Sequence, residues 1–146
     1  MHVLVDTCVW SLLLRRRPAA RLDAYEQLLT RELRELGDEG RICMLGVIRQ
    51  ELLTGIHTAG HFKQVRDRLA PFEDYKLTPA VHERAAENAN YCRKRGVETY
   101  TVDILICTVA QVESMPIFST DPDIARIAKL LSLKLHGPRE FPAAST

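Results

Sequence analysis

The sequence has almost no excess of charge of either sign, because 20 lysines and arginines offset 19 aspartates and glutamates, for a net charge of +1. Such a chain has no overall positive field to attract nucleic acid. A nucleic-acid partner would have to be held by local clusters of charge instead. Two basic clusters are present, at residues 15–17 and 93–95.

Closely spaced cysteine pairs are also missing. Cys8, Cys43, Cys92 and Cys107 lie far apart, and none belongs to a CxxC motif. Three of the four stand inside apolar runs, which is typical of reduced thiols packed in the core of a cytosolic protein. We therefore expect a cytoplasmic location and no disulfide framework.

Long hydrophobic runs and a basic leader are absent as well. The first apolar stretch, which extends to Leu14, is interrupted by Asp6 and followed by arginines. It is too short to span a bilayer and lacks the pattern of a signal peptide. We expect a protein that is neither exported by such a signal nor inserted in a membrane.

The residues that are present describe one globular domain. The 146 residues are 46% hydrophobic and 27% charged, which suits a single domain with a sizeable core. We place this domain at residues 1–137. Residues 138–146 contain two prolines and several small residues, and are expected to form a flexible tail.

Short β-rich segments alternate with longer helical patterns, which predicts an α/β domain built on a parallel sheet. The first strand, Val3-Leu4-Val5, is apolar on both faces, as in a central strand covered by helices on each side. The predicted strands are 2–6, 41–45, 75–78, 116–119 and 133–136. The predicted helices are 9–14, 22–36, 47–56, 61–69, 79–95, 102–114 and 122–131.

Four carboxylates stand in or beside these apolar segments: Asp6, Glu51, Asp103 and Asp121. Asp6 closes the first predicted strand and Asp121 follows the fourth. In open α/β sheets the carboxyl ends of the strands face the ligand crevice. The positions of these two residues therefore predict that their carboxylates approach each other at one edge of the sheet.

Each carboxylate also has a purely structural interpretation. Asp6 could cap the next helix, and Asp121 could cap a helix that begins with Pro122. Asp103 suits the first turn of a helix capped by Thr101. Glu51 shares a helix face with apolar residues, so it could form a buried ion pair with an arginine.

Electrostatics limits what a convergence of these groups can mean. Two carboxylates about 4 Å apart repel by about 4 kcal/mol at an effective dielectric constant near 20. No lysine or arginine stands at helical spacing on the inner faces of Glu51 or Asp103. A compensating cation is therefore needed, and oxygen ligands without His or Cys favour Mg²⁺ or Mn²⁺.

Four short motifs resemble the PIN-domain nucleases, and among them the VapC toxins. The motifs are Leu-Val-Asp-Thr-Cys-Val-Trp at 4–10, Val-Ile-Arg-Gln-Glu-Leu-Leu-Thr-Gly at 47–55, Val-Asp-Ile-Leu-Ile-Cys-Thr-Val-Ala at 102–110 and Ser-Thr-Asp-Pro-Asp at 119–123. They follow one another in order along essentially the whole chain. The sequence departs from the pattern at Cys8, where the family usually has serine, and at Pro122, which separates the last two acids.

The resemblance implies a three-layer α/β/α domain with a central parallel sheet of four or five strands. It also implies a metal-dependent endoribonuclease that uses one or two Mg²⁺ ions, with Mn²⁺ as an alternative. The catalytic and metal-binding residues would be Asp6, Glu51, Asp103 and Asp121, with Asp123 as an additional carboxylate. Thr7 and Thr120 would give polar support.

The resemblance further implies three partners. The substrate would be structured RNA, such as a loop of tRNA or rRNA, and the regulator a VapB-type antitoxin whose tail occupies the active-site groove. A second copy of the chain would form a homodimer. Positive charge for the RNA phosphates is expected from Arg15, Arg16, Arg17 and Arg49.

Two other functions share parts of this pattern. A phosphate-accepting receiver domain needs a pair of aspartates after the first strand and a late lysine, whereas here the first strand offers only Asp6. A non-catalytic PIN-fold module could instead bind RNA or a protein without cleavage. The intact set of four acids argues against this alternative, because a dead site would be free to lose their mutual repulsion.

Overall fold

A computed structural model describes residues 1–14 and 21–139. All seven predicted helices are present, and their ends differ from the predicted ends by three residues at most. The elements in chain order are β1 (Val3–Val5), α1 (Thr7–Leu14), α2 (Ala24–Asp38), β2 (Ile42–Cys43), α3 (Gly46–Leu53), α4 (Ala59–Leu69), α5 (Pro79–Lys94), α6 (Thr101–Glu113), β3 (Ile117–Phe118) and α7 (Pro122–Leu130).

Local capping explains where two of these helices begin and end. Asp23 caps α2, because its side chain accepts a hydrogen bond from Glu26 N while the Glu26 side chain accepts one from Asp23 N. This capping box starts the helix two residues after the predicted position. Helix α3 stops at Leu53, and Gly55 then adopts a φ of 85° that ends any helical continuation.

The sheet is parallel throughout and places β1 in its centre, in the order β2-β1-β3. Val3, Leu4 and Val5 are fully buried, so both faces of the central strand are covered. The principal helix contacts fall into two groups. In the first group, α1 packs on α2 and α3, and α3 packs on α4. In the second group, α6 packs on α5 and α7. The predicted α/β fold class is confirmed.

The predicted count of four or five strands was wrong, because the described residues form three. At the outer positions the sheet is extended only by single bridges, of Met44 with Asp74, the residue before the predicted strand 75–78, and of Ile117 with Leu135, within the predicted strand 133–136. Only alternate side chains such as Tyr75 contact the core there. Each edge segment is therefore held too weakly by burial to follow its neighbouring strand further.

The C-terminal segment is anchored to helix α2 by a fully buried glutamate. Glu32 accepts hydrogen bonds from His136 Nε2 at 2.9 Å and from Arg139 Nε at 2.9 Å. Burial alone would raise the pKa of Glu32, but the hydrogen bonds from Arg139 and His136 lower it below its usual value. His136 and Arg139 are thus both held against α2.

Two further sequence predictions concern the burial of the cysteines and the lack of a membrane span. Cys43 and Cys107 are buried, as predicted from their apolar neighbours, whereas Cys8 is only partly buried. Cys92 is buried although its neighbours in the sequence are polar. Burial, and then the charge of Glu113, raise the pKa of Cys43 to about 11, so this thiol stays protonated. Within residues 1–14 and 21–139, no helix combines the length and the apolar character needed to cross a membrane.

Candidate metal centre

Asp6 lies at the carboxyl end of the central strand, where the chain passes from β1 into α1. Its side chain is almost entirely buried, with 6% of the residue exposed. Asp6 Oδ1 accepts a hydrogen bond from Thr7 N at 2.8 Å, and Oδ2 accepts one from Ser119 Oγ at 2.7 Å. The carboxylate therefore holds the start of α1, and its orientation is set by the neighbouring strand β3.

Ser119 and Cys8 support this carboxylate, although the sequence did not single out either as a site residue. Ser119 Oγ accepts a hydrogen bond from Asp121 N at 3.0 Å, so one hydroxyl links Asp6 to the start of α7. Cys8 Sγ lies 3.6 Å from Asp6 Oδ2 and accepts a hydrogen bond from Thr120 N at 3.4 Å. The position of Ser119 directly after a strand was the signal that could have identified it.

The start of α7 agrees with the interpretation of Asp121 as the cap of a helix that begins with Pro122. Asp121 is the N-cap, its Oδ1 accepts a hydrogen bond from Asp123 N at 2.9 Å, and Pro122 is the first helical residue. Asp123 also forms an ion pair with Arg126 one turn later on the helix. The local role of Asp121 as a cap therefore holds, and within the described residues its Oδ2 accepts no hydrogen bond.

Asp103 occupies the first turn of α6 and is partly buried. The expectation that Thr101 caps this helix was wrong, since Thr101 is already its first helical residue. The N-cap is Tyr100, whose side chain makes no capping hydrogen bond. The helix starts one residue earlier than predicted, and Asp103 lies at its third position.

The two helix starts bring three carboxylates together. Asp103, Asp121 and Asp123 each offer an oxygen, and these oxygens lie within 4.8 Å of one another. Partial burial raises the pKa of Asp103 to about 6, and the charges of Asp121, Asp6, Asp123 and Glu51 add to the effect in that order. The charges of the other four acids named from the sequence thus all act on Asp103, and Asp123 lies with Asp103 and Asp121 in the closest cluster.

Glu51 lies at the edge of this centre, on α3. The expectation that it faces the core was wrong, because Glu51 is exposed while its neighbours Ile48 and Leu52 are buried. Partial burial of the carboxylate and the charge of Asp6 raise the pKa of Glu51, and the nearby Thr7 side chain offsets part of the rise. The alternative interpretation, a buried ion pair of Glu51 with an arginine, is not found within the described residues.

These donors suit a hard divalent cation. The cluster offers carboxylate oxygens, as Mg²⁺ and Mn²⁺ prefer. Thr7 Oγ1 is buried and makes no hydrogen bond of good geometry within the described residues, although it is close enough to Glu51 to lower the pKa of that carboxylate. Within the described residues, Arg126 alone forms an ion pair with an acid of this cluster. Most of the negative charge of the cluster therefore has no ionic partner.

The predicted RNA contacts have a different outcome. Arg49 forms an ion pair with Asp74 at 2.8 Å, and its guanidinium also donates to the carbonyl oxygens of Leu69 and Phe72. These contacts of Arg49 hold α3 against the segment that follows α4, and its contact with RNA stays a prediction. Arg15, Arg16 and Arg17 lie outside the described residues.

The fold and the site resemble known proteins. A family model described as PIN domain matches residues 3–130. A chain in the crystal structure of FitAcB from Neisseria gonorrhoeae superposes with a TM-score of 0.71 at 19% sequence identity, over 93% of this chain and 97% of that one. At this identity the structural match supports the fold alone. No curated protein matches the sequence.

Proposed function

The chain belongs to the PIN-domain family, and from this membership we propose that it is a Mg²⁺-dependent endoribonuclease, with Mn²⁺ as an alternative ion. PIN domains are generally nucleases. The observation that carries the proposal is the convergence of Asp103, Asp121 and Asp123 within 4.8 Å, beside the buried Asp6. A set of acids that repel one another so strongly needs a cation to offset their charge.

We assign the side chains separate roles according to their positions. We assign one ion to Asp6, Asp103 and Asp121, with Asp123 as a further ligand. When bound, a divalent ion neutralises charge on a phosphodiester and lowers the pKa of a bound water. Ser119 and Thr7 N hold the Asp6 carboxylate in place through its two oxygens.

Glu51 has a separate role in this proposal. It is more exposed than Asp6, and its raised pKa makes it a better proton acceptor than an ordinary glutamate. We assign Glu51 to orienting the attacking water and taking its proton, or to supporting a second ion. Attack of water on phosphorus with departure of the 3′ oxygen leaves a 5′-phosphate and a 3′-hydroxyl.

The test of this function is incubation of the purified chain with total cellular RNA in Mg²⁺ and in EDTA, followed by mapping of the cut ends. Cuts that require the ion and carry 5′-phosphates are the expected result. The control is an Asp103→Asn preparation purified in the same way, which excludes a contaminating nuclease. If no ion-dependent cut appears, the non-catalytic module that binds RNA or a partner protein becomes the better description.

Binding of the ion should be visible without any substrate. At a concentration a hundredfold above its Kd, a ligand of the folded state adds about 2.7 kcal/mol of stability. For a domain of this size that corresponds to a rise in melting temperature of roughly 5–10 °C. We expect Mg²⁺ and Mn²⁺ to produce this rise in a thermal unfolding experiment, and the Asp103→Asn variant to show much less of it.

The pH dependence of that rise follows from the protonation of Asp103. Its folded pKa of about 6 lies above the ordinary 3.8, so burial and neighbouring charges disfavour the ionised form. In EDTA, the stability of the unaltered chain relative to Asp103→Asn should therefore increase as the pH falls through about 6 toward 3.8. Protons compete with the ion over the same range, so the Mg²⁺-induced rise should shrink. A rise independent of pH would contradict a site at Asp103.

We further propose that this nuclease is a VapC-type toxin that pairs with a VapB-type antitoxin and forms a homodimer. The motif at residues 4–10, which ends in Trp10, supports the VapC subtype. Expression of the unaltered chain should arrest growth of a bacterial host, whereas the Asp103→Asn chain should not. Light scattering of the purified chain tests the dimer, and a monomer at micromolar concentration would contradict it.

A further inference from the structure

A polar cavity of about 460 Å³ lies next to the three clustered carboxylates. One wall is the loop 96–100 between α5 and α6, and the other is the first two turns of α7, where Asp123 and Arg126 line the cavity. Gly96 turns the chain at the end of α5 with a φ of 82°, a conformation that glycine adopts without strain. The cavity volume falls in the range usual for small-ligand sites.

Tyr100 is an unusually free aromatic side chain at the rim of this cavity. It is 74% exposed, and no hydrogen bond or ring contact involves its side chain within the described residues. Its backbone is nevertheless fixed, because it is the N-cap of α6 and its carbonyl accepts a hydrogen bond from Ile104 N at 3.0 Å. Tyr100 stands three residues before Asp103, so a base stacked on it would lie beside the metal centre.

Arg126 supplies the positive charge of the same cavity. Its guanidinium pairs with Asp123, and its side chain is 63% exposed. A cation shared with Asp123 would weaken this pair, since the ion takes over the charge of the carboxylate. The guanidinium would then be free to bind a phosphate group, for which its planar donors are well suited.

We propose that the cavity is a subsite for one nucleotide of single-stranded RNA next to the cleaved bond. Tyr100 stacks on the base, and Arg126 contacts the adjoining phosphate when the ion occupies the carboxylates. Stacking on an exposed aromatic ring tolerates any base, so this subsite adds affinity and register without strict sequence preference. The proposal rests on the nuclease function above, because it takes its substrate from that function.

The experiment is fluorescence anisotropy with a labelled short single-stranded RNA of randomised sequence, in EDTA and in Ca²⁺ as a substitute ion. We expect Tyr100→Ala to weaken binding about tenfold. Tyr100→Phe should retain the affinity, since it keeps the ring. Arg126→Gln should weaken binding about fivefold in Ca²⁺ and less in EDTA, where Asp123 still holds the arginine.

Matched control variants distinguish the loss of this subsite from the loss of any exposed tyrosine or paired arginine. Tyr25→Ala removes another exposed tyrosine, on α2, and Arg84→Gln removes another arginine in an i,i+3 ion pair, on α5. Neither should change the RNA affinity. A second comparison uses an RNA with an abasic nucleotide at the position flanking the cut, where Tyr100→Ala should cause no additional loss.

The outcomes distinguish this subsite from the function on which it rests. If the unaltered chain cleaves RNA while Tyr100→Ala and Arg126→Gln bind as tightly as the two control variants, the subsite is wrong and the nuclease stands. If the unaltered chain neither cleaves nor binds RNA, both proposals are wrong. Equal effects of Tyr100→Ala on intact and abasic RNA would also overturn the stacking role.

Discussion

Replacement of Asp103 by asparagine is expected to reduce RNA cleavage by at least about a hundredfold, because a bound ion supplies several kcal/mol of charge stabilisation and each 1.36 kcal/mol is tenfold in rate. Asp103 belongs to the carboxylate cluster and feels the charges of the other four acids. The measurement is the rate of Mg²⁺-dependent cleavage of a defined RNA under single-turnover conditions.

The same variant should be at least as stable as the unaltered chain in EDTA. Asparagine keeps the shape of the side chain but removes a charge that Asp121, Asp6, Asp123 and Glu51 repel. A control variant, Asp67→Asn, removes an exposed aspartate on α4 that pairs with Lys63, and should leave cleavage unchanged. A large loss of stability in Asp103→Asn, with cleavage intact, would mean that the carboxylate has a structural role instead.

Removal of the Arg139 side chain is expected to lower the melting temperature by about 5–10 °C, since a buried charge that loses its partner is strongly destabilising. Glu32 is fully buried, and Arg139 makes two side-chain hydrogen bonds to it, at 2.9 and 3.0 Å. Arg139 is itself partly exposed, which reduces the effect, and His136 remains as a partner. Thermal unfolding of Arg139→Ala at neutral pH measures the loss.

Two further variants show whether the buried charge is the cause. Adding Glu32→Met to Arg139→Ala should recover much of the lost stability, because methionine places no charge in the core. Arg93→Ala breaks an exposed pair with Glu98 and should change the melting temperature by less than about 2 °C. If the double variant were less stable than Arg139→Ala alone, the buried charge would not be the source of the instability.

The anchor also has a defined pH dependence. The folded pKa of Glu32 is lower than its ordinary value of 4.5, so its ionised form is the stabilised one. The contribution of Glu32 is therefore complete above about pH 4.5 and is lost as the pH falls below that value. Arg139→Ala should accordingly lose less stability, relative to the unaltered chain, in acid than at neutral pH.

Local sequence was sufficient for most of the secondary structure. The helical spacing of apolar residues predicted all seven helices, and the N-cap at Asp121 before Pro122 is where it was expected. Strand β1 was predicted as central because both of its faces are apolar, and it lies between β2 and β3. These features depend on contacts between residues close in the chain or on burial of a whole segment.

Interactions across the fold were harder to predict. Glu51 was placed in the core from its helix face, yet it is exposed at the border of the site. The ion pair of Arg49 with Asp74, 25 residues later in the chain, was not predicted, and a phosphate contact of Arg49 stays a prediction. The spacing of Asp123 and Arg126 on one helix did contain the signal for their pair.

The sequence by itself determined which acids are the candidates for the site, because Asp6, Asp103 and Asp121 stand at strand ends or helix starts and match a known motif. Only the tertiary structure decided how these acids are placed relative to one another. Packing of α6 against α7 brings Asp103 within 4.8 Å of Asp121 and Asp123, and Ser119 joins Asp6 to the same edge across β3. The physical reason is that helical and strand periodicity sets which face a side chain occupies, whereas the distance between two faces depends on long-range packing.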